Sequence, residues 1–207
     1  MTRRLVIAPH MDDESLGCGG LLAKYPDECD VLVVTDSGSK RAEEHAAALQ
    51  ILGVKPSTCL GFADGQTPSH TTELVKAIDD YLTAHQPDEV YLPYPSLHQD
   101  HIAVYEAGMR SCRISMTPSH WVPSTVLVYD IAVYDLNLYP TDLRWNVFEA
   151  LTEEQANMKA QACAAYGSEN PGGAHPMNSI KEIAATVGHV RLVPFAEQYA
   201  LVRQVRQ

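Results

Sequence analysis

Apolar and polar positions alternate along the chain between short β-rich runs and longer stretches with helical spacing. Leu5-Val6-Ile7-Ala8 predicts a buried strand, and Leu16, Leu21 and Leu22 share one face of a helix over 14–25. The pattern repeats with a strand over 31–35, a helix over 40–52 closed by Gly53, and a short strand near 58–60 that leads into the loop 62–65. A helix over 71–85 follows, with Thr71 or Thr72 as its N-cap and Gln86-Pro87 as its stop. Beyond it come a strand over 89–92, a helix from Asp100 to about 116, and a strand over 125–129. A further strand over 146–150 precedes a helix over 152–166, where Thr152 caps a first turn containing Glu154 and Gln155. Repeated strand-then-helix units predict an α/β fold: a Rossmann-like, mostly parallel sheet with helices on both faces. No repeat or linker divides the chain, so one domain is expected over residues 1–207.

Charge narrows the partners. With 15 basic against 26 acidic residues the formal charge is −11, and no Lys/Arg cluster exceeds a pair. A general nucleic-acid binder needs a basic stripe, so nucleic acid is excluded as a partner, and an acidic membrane surface is disfavoured for the same reason. No apolar run reaches the roughly 18–20 residues of a bilayer span, and His10, Asp12 and Asp13 interrupt the N-terminal stretch too early for a signal-peptide core. The expected compartment is the cytoplasm. Five widely spaced cysteines without a Cys-x-x-Cys pair read as reduced, mostly buried thiols.

Two polar clusters stand at the carboxyl ends of predicted strands, the edge where open α/β sheets bind ligands. Pro9-His10-Met11-Asp12-Asp13-Glu14 follows the first strand, and His98-Gln99-Asp100-His101 opens a helix after the fourth. Imidazoles with a carboxylate suit a divalent metal, and two histidines plus one carboxylate leave a coordination position open for water. Acidic residues at a helix start also serve as simple caps, but two such clusters at one edge favour metal chemistry. Gly17-Cys18-Gly19-Gly20 with Asp36 invites a dinucleotide reading, which fails because Leu22 stands where the third glycine belongs and acids fill the phosphate turn. Those glycines are expected to let the first helix pack closely.

These motifs resemble the PIG-L/LmbE-like family of metal-dependent N-acetylglucosaminyl deacetylases. The family's Ala/Pro-His-Pro-Asp-Asp-Glu and His-Pro-Asp-His stand here at 9–14 and 98–101. Arg41-Ala42-Glu43-Glu44 resembles the family's Arg-x-x-Glu helix, 60–65 the loop after it, and 159–166 and 195–199, more weakly, its closing segments. The resemblance implies that His10, Asp13 and His101 bind zinc and that Asp12 is the general base. It further implies that a protonated His98 stabilises the transition state, with Asp100 orienting it, and that Arg41 contacts substrate. Met11 and Gln99 replace family prolines, and Ser96 stands where some members place a tyrosine that helps hold the oxyanion. Asp64 is read as a turn former rather than a sugar contact, and 172–175 as a loop able to close over substrate.

The resemblance thus implies a zinc-dependent hydrolase removing the acetyl group from an N-acetylated amino sugar or its conjugate, with Fe2+ an alternative to Zn2+. Two other readings stay open: a metal-dependent amidase acting on a larger acyl or non-sugar amide, and a non-catalytic sugar-nucleotide binding module. The oligomeric state is left open, a homo-oligomer included.

Overall fold

β-branched and leucine-rich runs with no charge at their centres form strands buried on both faces, as a parallel sheet covered by helices requires. The computed structural model describes residues 1–131, 139–169 and 179–206. In chain order the elements are β1 (Arg4–Ala8), α1 (Asp13–Lys24), β2 (Cys29–Asp36), α2 (Ser39–Leu52), β3 (Thr58–Ala63), α3 (Thr71–His85), β4 (Glu89–Pro93) and α4 (Gln99–Ser111). They continue as β5 (Thr125–Tyr129), β6 (Trp145–Leu151), α5 (Glu153–Ala164), α6 (Ile180–His189) and β7 (Phe195–Gln204). The seven strands form one sheet in the order β3-β2-β1-β4-β5-β7-β6. The first five are parallel; β7 runs antiparallel to β5, and β6 antiparallel to β7.

This order creates the ligand-binding edge. From β1 the chain steps outward to β2 and β3, then crosses back to β4 on the other flank of β1 and continues to β5. Right-handed connections in opposite directions put their helices on opposite faces. Accordingly α1 packs with α2 and α5, whereas α3 packs with α4. The loops after β1 and β4 diverge at the switch point, where a crevice opens between the carboxyl ends of adjacent strands. Both polar clusters lie there. Val6, Ile7, Leu32, Val33, Leu92 and Val128 are all fully buried beneath that edge.

Local chemistry explains the boundaries. Thr152 and Gln155 form a reciprocal capping box at the start of α5, as expected. Neither Thr71 nor Thr72 caps α3, because a 3-10 turn over Thr67–His70 delivers the chain already coiled and His70 holds the cap position without a side-chain bond. The helix expected to reach 116 ends at Ser111, where Arg113 donates its backbone N–H and its guanidinium to the Arg110 carbonyl. Strand β3 extends through Ala63, into the stretch read as loop. The two last elements, α6 and β7, were not read from the sequence. Of the loop expected to close over substrate, 172–175 lie outside the described residues.

The glycines of α1 serve close packing. A Cβ on Gly17 would lie 2.1 Å from the Tyr129 ring, and one on Gly20 would lie 2.3 Å from Leu151. Four cysteines are buried and Cys59 is exposed, all as free thiols. Among the described residues no helix is long and apolar enough to cross a membrane.

Candidate active site

The turn between β1 and α1 is built to hold its acids. The Pro9 carbonyl accepts from the backbone N–H and hydroxyl of Thr35 on β2, fixing the end of β1. The His10 carbonyl then accepts from the N–H of Asp12 at 3.1 Å, turning the chain into α1. Glu14, fully buried, accepts from the Asp12 N–H and from the hydroxyls of Ser15 and Tyr166. Its ordinary tendency to protonate on burial is overcome by His45 and those hydrogen bonds, which lower its pKa. Asp12 and Asp13 therefore project from a turn secured on two sides.

Three donor atoms converge at equal spacing. His10 Nδ1, Asp13 Oδ2 and His101 Nε2 are each 3.3 Å from the other two. Tetrahedral angles and metal–donor bonds of about 2.0–2.1 Å put neighbouring donors about 3.3 Å apart. The donor set therefore matches a small divalent ion without rearrangement. Histidine donors also cluster more widely, with His10, His98 and His101 offering ring nitrogens within 4.8 Å of one another.

The opposite ring nitrogens are equally committed. His10 Nε2 lies 3.1 Å from Asp100 Oδ2 and 3.3 Å from Asp64 Oδ1. His101 Nδ1 lies 2.9 Å from the buried hydroxyl of Ser96. Such outer partners fix the tautomer and orientation of metal-binding imidazoles. Asp100 is itself held by the backbone N–H groups of Gly65 and Thr67 and by the Thr67 hydroxyl.

Electrostatics favour a cation at the same place. Burial works against charge on His10, but Asp13, Asp100 and Asp64 outweigh it and push its pKa up to about 9. Burial likewise opposes ionisation of Asp13, yet His101 and His10 hold it far below the usual carboxylate range. Asp12 moves the other way: burial, then the charges of Asp13 and Glu14, raise its pKa well above the ordinary value despite Arg41. A metal ion would replace the proton that these carboxylates now stabilise on imidazole.

The structure revises two expectations from the sequence. Asp100 was expected to orient His98, but its carboxylate faces His10, and its backbone N–H at 3.2 Å from His98 Nδ1 is what fixes the His98 ring. His98 was expected to be protonated; desolvation, with His10 and His101 nearby, lowers its pKa more than Asp100 raises it. With Nδ1 accepting a hydrogen bond, the neutral ring carries its proton on Nε2. Asp64, read as a turn former, does stand in a turn but also reaches the site.

Arg41 on α2 donates to Asp12 Oδ2 at 3.0 Å and pairs with Glu44 and Glu169. An open cavity of about 560 Å³ joins these groups, with His10, Asp12, Arg41, Asp64, His98 and Glu169 on its walls. All six of the site residues expected at the two clusters border the cavity or touch a residue that does. Sequence reading missed Ser96 as a partner of His101, and Glu14, His45 and Tyr166 as the support behind Asp12. For Ser96 and Glu14 the available signal was their position just after β4 and β1; His45, in the middle of α2, and Tyr166, just past α5, carried none.

Known proteins resemble this chain in sequence and in fold. YaiS of Escherichia coli (strain K12), an uncharacterized deacetylase, is 31% identical over 179 residues, spanning 79% of this chain and 90% of that protein. The N,N'-diacetylchitobiose deacetylase of Pyrococcus horikoshii shares the fold with a TM-score of 0.74 at 21% identity, covering 97% of this chain and 84% of that one. GalB of Pseudomonas putida KT2440, a 4-carboxy-2-hydroxymuconate hydratase, shares it with a TM-score of 0.69 at 16% identity over 100% and 98% of the two chains. The fold alone therefore does not fix the chemistry. The PIG-L family, described as GlcNAc-PI de-N-acetylase, matches residues 5–112, which contain both clusters and every donor atom described above, and the chain belongs to that family.

Proposed function

We propose that this protein is a metal-dependent hydrolase that removes the acetyl group from an N-acetylated amino sugar of the N-acetylglucosamine type, or from a conjugate carrying one. The observation that supports it most is the 3.3 Å triangle of His10, Asp13 and His101 donors with Asp12 and His98 beside it. Those three residues would hold the ion, and two imidazoles with a carboxylate suit Zn2+ as well as Fe2+. When bound, the ion supplies Lewis acidity, which lowers the pKa of water toward about 7 and polarises an amide carbonyl.

The chain's own groups do the rest. Asp12 is the general base: beside the donor triangle and held by Arg41 at 3.0 Å, its carboxylate takes a proton from attacking water and returns it to the leaving nitrogen. Arg41 keeps Asp12 oriented and, with Nη1 and Nε engaged and Nη2 paired with Glu169, keeps one Nη2 N–H for a substrate hydroxyl. His98 Nε2–H donates to the carbonyl oxygen as negative charge develops there. Asp100 acts at one remove, by fixing His10. Asp12→Asn is expected to retain stoichiometric metal while turnover falls by about 100-fold or more; loss of metal instead would make Asp12 a ligand and remove the base from this scheme.

One observation favours a second reading. Leu97 is 62% exposed and borders the cavity, as a contact for a longer acyl chain would. Comparing release of acetate and of longer carboxylic acids from matched N-acyl glucosamines separates the two.

A further inference from the structure

The cavity around the metal-binding donors carries an uneven distribution of charge. Beyond Asp12 and Asp13, two further carboxylates border it: Asp64, 53% exposed, and Glu169, 38% exposed. Neither stands there by chance of a loose loop. Ser168 donates both its backbone N–H and its hydroxyl to Glu44 on α2, at 3.0 and 2.6 Å, which fixes the turn that carries Glu169. Asp64 is held through its neighbour Gly65, whose N–H donates to Asp100 at 2.6 Å.

Positive charge does not balance them. Arg41 is the one Lys or Arg bordering the cavity among the described residues, and it already pairs with Asp12, Glu44 and Glu169. The stretches outside the described residues add none, because 132–138 and 170–178 contain no lysine or arginine. A divalent ion, offset by Asp13, still leaves the mouth lined by carboxylates with a neutralised guanidinium. A phosphate monoester there would bring about −1.5 to −2 charge against Asp64 and Glu169, and among the described residues no unpaired lysine or arginine lines these walls to receive it.

Resting on the deacetylase reading, we propose that the substrate is a neutral or amine-bearing N-acetyl sugar and that Asp64 and Glu169 select against phosphorylated or otherwise anionic ones. Arg41 then serves hydroxyl groups and Asp12, and it is no phosphate receptor. Glu169 determines specificity through its own charge and by occupying Arg41.

The test compares kcat/KM for acetate release by the zinc-loaded protein from N-acetylglucosamine and from its 6-phosphate. The ratio kcat/KM is the correct measure, since non-productive binding of the phosphate to the ion lowers kcat and KM together. The neutral sugar is expected to lead by about tenfold or more at low ionic strength, with the margin shrinking in about 0.5 M salt. Glu169→Gln and Asp64→Asn should each narrow it by about threefold. Equal or faster use of the phosphate ester, or a margin unchanged in both variants, overturns the proposal. If neither sugar releases acetate, the deacetylase reading falls, and binding alone decides the charge question. Ligand-detected NMR should then rank glucosamine above glucose, with Glu169→Gln erasing the difference; a ranking indifferent to charge overturns the proposal on its own.

Discussion

Each histidine ring at this site divides its two nitrogens between an inner and an outer task. His10 presents Nδ1 to the donor triangle and Nε2 to Asp100; His101 presents Nε2 to the triangle and Nδ1 to Ser96. If the outer bonds set the inner geometry, Ser96→Ala and Asp100→Asn should each weaken zinc affinity by about 10- to 100-fold. Competition with a chromophoric chelator measures this, and affinities equal to the unaltered protein would show that the rings are held by packing alone. The donor residues were legible in the sequence because they lie within two runs of a few residues each. Ser96, Asp64 and the proton state of His98 were not, since each depends on an atom brought from elsewhere: Asp64, for instance, meets His10 only because β3 and β1 end at one edge. Ser96 was visible only as a missing tyrosine, and its hydrogen bond to His101 gives it a different task.

At the scale of elements, α1 is shaped by absent side chains. Gly17, Gly19 and Gly20 bring its backbone against β5, the end of β6 and α5. Gly17→Ala would drive a methyl group to within 2.1 Å of the rigid Tyr129 ring, whose hydroxyl is bonded to the Ile7 carbonyl of β1. Overpacking of this kind costs about 1–3 kcal/mol, to be measured as a lower midpoint in urea denaturation. The α5 cap offers a milder contrast: Thr152→Ala should cost about 1 kcal/mol by the loss of its bond to the Gln155 N–H, with activity retained. Both features were legible, the glycines as a packing surface and Thr152 as a cap, because local sequence determines them. Strand β7 escaped because its pattern is blurred, whereas α6 carries a clear helical spacing, Ile180, Ile183, Ala184 and Val187, that the sequence reading passed over. Strand β7 buries Glu197 amid its apolar positions, which breaks the alternation expected of a strand.

Across the whole molecule, Glu197 ties the antiparallel end of the sheet to the helix that starts at the active site. Its carboxylate accepts from the Gly20 and Leu21 backbone N–H groups, from the Tyr199 hydroxyl and from the buried ammonium of Lys159 at 2.6 Å. Glu197→Gln leaves that ammonium without its counter-ion, and breaking a buried pair from one side typically costs about 3–5 kcal/mol. Thermal unfolding should register a large drop in Tm, while the metal content of the folded fraction stays unchanged. A variant as stable as the parent would show that the pair contributes little. The strand order places the switch point between β1 and β4, so the two clusters, nearly ninety residues apart in the chain, meet by topology. That much followed from the alternating strand and helix pattern together with the rule for open sheets. The register of the antiparallel strands did not, because it is set by long-range pairing.

Metal content of the purified protein, read alongside acetate release from N-acetylglucosamine before and after chelation, tests the central claim most directly. The account predicts about one divalent ion per chain, in keeping with a single donor triangle, acetate release abolished by chelator, and recovery when zinc is restored. Acetate release that persists in metal-free protein, or a folded protein that binds no zinc, would contradict it.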